Sequence, residues 1–225
     1  FQQALQHSSN KLGACVGNTA YVGIPVTLAL LPPEALPISI GYDLGATLLT
    51  WSIGPLLLAR PGAQTGHRLR QLAKSLGSSP AVRGLVGALL IAATPWSDSI
   101  AALLWLPSRI VILLALTVVG MRLGSVLEEH AAENSPANQG VAWALLIKLI
   151  GFPVVMLGLT TALQLSPVMV QALTLQAAAP TAISILLIAE AAHHNQTVAA
   201  SLVLRTTMLA ALSTPIWGWI LTTLI

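Results

Sequence analysis

Charged residues are scarce in this chain of 225 residues, and their scarcity excludes an ordinary soluble domain. Asp, Glu, Lys and Arg make up 8% of the sequence, whereas 55% of it is hydrophobic and the mean hydropathy is +0.81. Soluble domains carry about 25% charged residues. The composition therefore predicts an all-α polytopic membrane protein. The net charge of +3 reflects one basic segment, so we expect no nucleic-acid partner.

Thiols and catalytic motifs are scarce as well. Cys15 is the single cysteine, which excludes a disulfide framework and a metal cluster held by thiolates. The chain contains no Gly-x-Ser-x-Gly elbow, no phosphate-binding loop and no run of metal ligands. We therefore expect no enzyme activity, no metal and no cofactor, apart from a coupling ion such as a proton or sodium.

Long hydrophobic runs are abundant, and a membrane-spanning helix needs roughly 20 such residues. We predict seven spans, at residues 14–31, 38–59, 81–94, 101–122, 141–163, 168–192 and 198–225. The connector 60–80 holds Arg60, Arg68, Arg70 and Lys74. Because basic loops stay on the cytoplasmic side, this connector is predicted to lie inside and the C-terminus outside. The expected location is a cell membrane, such as a bacterial inner membrane.

Two of the predicted spans carry a proline in their middle. The expected break in the first of these spans is at Gly23-Ile24-Pro25, and the expected break in the second is at Ala179-Pro180-Thr181. Proline inside a helix removes a backbone hydrogen bond, and a broken span is tolerated only within protein or beside a water-filled cavity. Two interrupted spans in corresponding halves indicate the binding site of a secondary transporter.

The prolines also suggest an internal repeat. Pro25 and Pro180 are 155 residues apart, and Pro55 and Pro215 in the following spans are 160 residues apart. This offset covers five spans, and an odd number inverts the second copy across the membrane. Three spans of the second copy have no counterpart before the first break. We therefore expect an N-terminally truncated, incomplete five-plus-five inverted-repeat fold with two proline-broken crossing helices.

The repeat divides the chain into three predicted regions. Residues 1–59 end the first repeat, residues 60–80 form the basic cytoplasmic loop, and residues 81–225 form the second repeat.

The sequence from Asn18 to Pro25, NTAYVGIP, resembles the broken fourth helix of the auxin efflux carrier family. Ala179-Pro180-Thr181-Ala182 followed by Ala189-Glu190 is similar to the broken ninth helix of its bacterial permeases, and Tyr42-Asp43-Leu44-Gly45 is similar to their fifth helix. The resemblance implies a ten-helix carrier whose bacterial members are linked to malonate, malate and similar organic acids. It also implies a scaffold domain and a moving transport domain.

The two breaks predict an anion site. Residues after each proline can present free N–H groups and the positive end of a helix dipole, which suit a carboxylate. By resemblance, Asn18 and the first break face Pro180 and Thr181 across the substrate site. The expected substrate-binding residues are Asn18, Thr19, Gly23, Ile24, Pro25, Gln176, Pro180 and Thr181. Gln176 is alternatively a hydrogen-bonding contact between helices.

Four charged residues lie within or beside predicted spans. Asp43 is a candidate for binding a proton or cation during coupling, or alternatively an interfacial acid. Glu190 is a solvated helix-end acid or a proton relay. Lys148 and Arg205 are expected to reach the membrane surface along their apolar stems or to form ion pairs; alternatively, they attract an organic anion into a cavity.

These patterns predict a secondary active transporter for a small organic anion such as a carboxylate, working by alternating access. The alternatives are a membrane sensor or assembly subunit with a transporter-like fold, and a channel-like conductor. The expected partners are the anion and the lipid bilayer, and a second copy of the chain is a candidate partner through the scaffold.

Overall fold

The computed structural model describes residues 8–58, 77, 80–130, 138–191 and 196–224. These ranges are mostly helical and contain no extended strand, only an isolated bridge between Gly17 and Thr181. The helices are α1 (Ser8–Cys15), α2 (Thr19–Leu30), α3 (Ala35–Leu58), α4 (Pro80–Ala92), α5 (Ser97–His130), α6 (Asn138–Leu146 continued by Ile147–Gly151 and Phe152–Ala162), α7 (Pro167–Ala177), α8 (Ser184–Ala191) and α9 (Gln196–Leu224).

Two helices in the described ranges are long and apolar enough to cross a membrane by length and composition, Gly140–Ala162 and Gln196–Leu224. Thr19–Leu30 and Val82–Ala92 are shorter apolar helices. The all-α architecture is confirmed over the described residues. The count of seven spans, the inverted repeat and the three-region division remain predictions. The basic connector lies outside the described residues except at Gly77 and Pro80.

The first helix break lies earlier than the sequence predicts. The chain leaves α1 after Cys15 and resumes as a π-helical turn at Thr19–Gly23, so the non-helical residues are 16–18. Pro25 lies in the first positions of the following α-helical segment, Ile24–Leu30. Proline fits there because that turn does not require its N–H. The expectation of a break at Gly23-Ile24-Pro25 is therefore wrong, and the flexible backbone of Gly17 lies at the break instead.

The second break lies where the proline predicts it. Helix α7 ends at Ala177 and α8 begins at Ser184, so residues 178–183 around Pro180 are non-helical. Pro215 behaves differently because it lies inside the continuous helix α9.

Buried apolar side chains hold the broken helices together. One cluster joins α1, α8 and α9 through residues that include Leu12, Ile185 and Val203. Another joins α2, α3, α7 and α9 through residues that include Leu31, Leu175 and Leu221. The crossing of the two breaks therefore lies inside a packed bundle, where irregular backbone can be satisfied by protein.

Helices α4 and α5 differ from this bundle because their described apolar side chains are largely exposed. Leu103, Trp105 and Leu113 of α5 are examples. Apolar side chains of this kind are compatible with lipid, which is as apolar as they are.

Candidate functional site

The two broken segments cross and pair with each other. Gly17 and Thr181 form an antiparallel bridge. The Asn18 N–H donates to the Pro180 carbonyl oxygen at 2.6 Å, and the Ala182 N–H donates to the Val16 carbonyl oxygen at 3.1 Å. The backbone groups released by one break are thus satisfied by the other. This pairing brings together the sequence-predicted residues Asn18, Pro180 and Thr181.

A cavity of about 400 Å³ opens at this crossing. Helix α2, helix α3 and the start of α8 form its wall. Its lining residues are Val16, Gly17, Asn18, Thr19, Ala20, Tyr21, Asp43, Ala46, Thr47, Thr50, Ala182, Ile183, Ser184 and Leu187. A volume of this size falls within the range of small-molecule pockets, about 300–1,000 Å³.

Asn18 is one of three buried polar residues in this wall, with Thr19 and Thr50. It is 5% exposed, and its carbonyl oxygen accepts from the N–H groups of Val22 and Gly23 in the π-helical turn. Its side-chain amide does not cap α2. Within the described ranges, the amide therefore stays available to a molecule in the cavity.

Asp43 of α3 lies against the N-terminal end of α2. The Thr19 hydroxyl donates to Asp43 Oδ1, and the backbone N–H of Ala20 also hydrogen-bonds this carboxylate. A carboxylate is favourable there because the first turn of a helix has unpaired N–H groups and a partial positive charge. The sequence singled out both Asp43 and the helix end, but it did not predict that they contact each other.

Lys148 hydrogen-bonds the C-terminal end of α7, as Asp43 does the N-terminal end of α2. Its Nζ donates to the Ala177 carbonyl oxygen at 2.9 Å, and the residue is 1% exposed. The last carbonyl groups of a helix lack intrahelical partners and carry partial negative charge, so an amine fits there. The expectation that Lys148 reaches the membrane surface is therefore wrong, because α6 directs it inward to the crossing.

Gly17 passes close to this lysine. A Cβ atom at Gly17 would lie 3.2 Å from Lys148 Nζ. The absence of a side chain at Gly17 thus allows the lysine and the crossing backbone to approach each other. In contrast, Arg205 of α9 is exposed, and the side chain of Glu190 in α8 lies outside the described residues.

Thr181 is fully buried and anchors the second break. Its Oγ1 donates to the Gly13 carbonyl oxygen at 2.8 Å, and its N–H donates to Thr206 Oγ1 at 3.1 Å. Thr206 in turn donates to the Leu202 carbonyl oxygen of its own helix at 2.8 Å. Sequence reasoning missed Thr206, since a threonine in an apolar helix commonly bonds to the preceding turn.

Gln176 is buried on the other side of α2. Its Nε2 donates to Thr27 Oγ1 at 3.2 Å, and the Thr27 hydroxyl pairs with that of Ser39 at 3.1 Å. Gly23 lies against the same amide. The alternative of a contact between helices thus describes Gln176 in this structure.

The predicted substrate residues therefore separate into two groups. Asn18 and Thr19 line the cavity, whereas Gly23, Ile24, Pro25, Gln176, Pro180 and Thr181 are absent from its lining. Sequence reasoning missed Thr47 and Thr50 of α3, which line it. Their spacing along one face of the helix that carries Asp43 was the available signal.

We compared the chain with known protein families, curated proteins and solved structures. A family model described as "Membrane transport protein" matches residues 12–218. The curated proteins and the solved structures gave no match. Members of the matched family are integral membrane transporters and not enzymes. Because the match covers most of the chain, the protein belongs to this membrane transport protein family, the auxin efflux carrier family that its broken helices resemble.

Proposed function

We propose that this membrane transporter carries a small organic anion, such as a carboxylate, through the crossing of its two broken helices. The observation that supports this most is the N-terminus of α8 at the cavity, where Ile183 and Ser184 line the wall together with the buried Asn18. Helix N-termini attract anions through free N–H groups and the helix dipole.

Lys148 supports the same proposal from outside the cavity wall. It is buried beside the crossing backbone at Gly17 and holds the end of α7 in place. Protonated, it adds positive charge close to the cavity without entering it. We propose that Lys148 is a positioning residue and that Asn18 contacts the anion.

Transport by alternating access requires one part of the protein to move against another. The bundle of α1, α2, α3, α6, α7, α8 and α9 is the proposed moving part, because it contains the crossing. Helices α4 and α5, with their exposed apolar side chains, are the proposed remainder of the scaffold. Their exposed surface is also where a second copy of the chain would pack. Glu190 and Arg205 have no proposed contact with the anion.

The experiment is uptake of radiolabelled propionate, malonate and malate by the full-length protein in liposomes. Asn18→Ala and Lys148→Met should each lower the uptake of the transported acid at least about tenfold, the effect of removing one strong hydrogen bond. Arg205→Gln is the matched control, because it removes an exposed basic group and should change uptake less than about twofold.

Three results would contradict the proposal. Normal uptake by both Asn18→Ala and Lys148→Met would exclude the crossing as the site. Uptake that does not saturate with concentration would favour a channel. Binding of an acid without any uptake would favour a sensor.

A further inference from the structure

We infer that Asp43 sets the charge of the anion that this site accepts: one carboxylate binds unaided, and a second carboxylate binds only together with a proton. This inference rests on the proposed function, since it concerns the same cavity. It assigns to Asp43 the role of a specificity-determining residue.

The start of α8 presents N–H groups to the cavity that are unpaired within the described part of the chain. The N–H groups of Ile183 and Ser184 have no acceptor among the described residues, although the neighbouring N–H groups of Ala182 and Ile185 are paired. Both residues line the cavity. The buried Asn18, whose side chain does not cap α2, lines it as well. These groups form a subsite with donors for one carboxylate.

At the start of α2, the Asp43 carboxylate already accepts the hydrogen bonds. Asp43 accepts hydrogen bonds from the Thr19 hydroxyl and the Ala20 N–H. A helix N-terminus carries about half a positive charge, whereas an ionised Asp43 carries a full negative charge. The α2 end with Asp43 is therefore net negative, and the α8 end is net positive.

This asymmetry separates acids by their number of carboxylates. A monocarboxylate places its charge at the α8 end, away from Asp43. The second carboxylate of a short dicarboxylate must approach the α2 end, where Asp43 repels it. Two carboxylates that share a site cannot easily both remain ionised.

Protonation of Asp43 removes the repulsion between its carboxylate and the second carboxylate of the substrate. One proton from the solution binds to the Asp43 carboxylate, giving a neutral carboxylic acid beside the second substrate carboxylate. When the dicarboxylate leaves, Asp43 releases that proton and again accepts from Thr19 and Ala20. A dicarboxylate would therefore cross the membrane together with one proton, and a monocarboxylate would not.

Few other titratable groups face Asp43 in the described part of the chain. Tyr21 of α2 lines the same cavity, and Tyr42, Lys11 and Cys15 line a neighbouring cavity of about 630 Å³ between α1 and α3. Arg83 of α4 donates to the Gly77 carbonyl oxygen, Lys148 of α6 is bonded to Ala177, and the described side chains of α7 and α8 near the cavity are uncharged.

The test compares two acids that differ by one carboxylate. Propionate and malonate each have three carbons, and both are fully ionised between pH 7 and 8. Binding to the full-length protein is measured by calorimetry in two buffers that differ in ionisation enthalpy, which gives the protons taken up per acid bound. The variants are Asp43→Asn and, as matched control, Asp98→Asn, an exposed acid at the start of α5.

We expect malonate to take up about one proton and its affinity to fall about tenfold per pH unit as pH rises, because the complex holds one proton more than the free protein. Propionate should take up none. Asp43→Asn should bind malonate without proton uptake and with little pH dependence. Asp98→Asn should behave as the natural protein does.

Different failures have different meanings. If neither acid nor malate binds or is transported, the proposed function fails. If malonate binds without proton uptake, requires sodium instead, or still takes up a proton in Asp43→Asn, the role of Asp43 is overturned while the transport proposal stands. If Asp43→Asn does not fold, the comparison of propionate with malonate in the natural protein decides: equal proton uptake for the two acids would overturn the role of Asp43.

Discussion

Gly23 and Gln176 show how a single contact fixes the packing of the broken helices. A Cβ atom at Gly23 would lie 2.1 Å from Gln176 Oε1, closer than any real contact allows. Gln176 cannot easily withdraw, because its Nε2 is bonded to Thr27. We therefore predict that Gly23→Ala lowers the stability of the protein by about 1–3 kcal/mol, the usual effect of overpacking, measured as thermal unfolding in detergent.

The control and the rescue use the same measurement. Gly158→Ala in α6 adds its methyl group where no atom lies within 4 Å, so it should leave the unfolding temperature nearly unchanged. The double variant Gly23→Ala with Gln176→Ala should be more stable than the sum of the two single effects, since the clash is gone. Additive effects would mean that the two residues do not interact.

Some contacts of individual residues at the crossing can be predicted from the sequence, and others cannot. Asn18 and Pro180 could be predicted to meet, because a broken helix needs partners for its backbone and each break provides them. Lys148 could not be predicted, since its distance from the predicted helix end suggested that its stem reaches the surface. Which side of α6 faces the crossing depends on packing with α7, and one sequence does not reveal that packing.

At the scale of whole elements, the two broken ends are stabilised by polar side chains of opposite kind from neighbouring helices, an acceptor at one end and a donor at the other. Asp43 of α3 lies at the N-terminal end of α2, and Lys148 of α6 lies at the C-terminal end of α7. The carboxylate accepts hydrogen bonds at the positive end of a helix, and the amine donates one at the negative end of another. The sequence predicts that helices break, but the residues that satisfy each end come from elements distant in the chain.

The position of the first break has a similar explanation. Proline predicts an interruption only when it removes a hydrogen bond that the helix would otherwise make. Pro180 does so, whereas Pro25 follows a π-helical turn and lies where its N–H is not needed. The interruption therefore moves to the residues around Gly17, which the proline pattern did not indicate.

Thr206 provides a prediction for the element that supports the second break. Thr206→Val keeps the shape of the side chain but leaves the buried Thr181 N–H without its acceptor. A buried donor without a partner costs about 1–3 kcal/mol, so the variant should unfold at a lower temperature. Hydrogen exchange at residues 178–183 should also accelerate.

Thr207 is the matched control on the same helix. Its hydroxyl donates only to the Val203 carbonyl oxygen one turn earlier, at 2.7 Å. Thr207→Val should therefore leave both measurements close to those of the natural protein. Equal effects of the two substitutions would show that Thr206 does not support the break.

At the scale of the whole molecule, the crossing lies within a bundle of buried side chains, and α4 with α5 exposes apolar ones. Composition predicted a membrane protein, and the family match confirms that class. Composition could not divide the helices into a packed bundle and an exposed pair, because both groups are equally apolar in sequence. The difference arises from which helix faces find partners.

Orientation in the membrane is the last prediction, and it follows from charge. The connector 60–80 carries Arg60, Arg68, Arg70 and Lys74, whereas residues 95–100 around the start of α5 contain Asp98 and no basic residue. Basic segments remain cytoplasmic during insertion. In a Cys15→Ser background, an impermeant thiol reagent should label Ser99→Cys in intact cells and Gln71→Cys only after the membrane is opened. Replacing the four basic residues by glutamine should weaken this difference in labelling. If Gln71→Cys is labelled in intact cells while the four basic residues are still present, the predicted orientation is wrong.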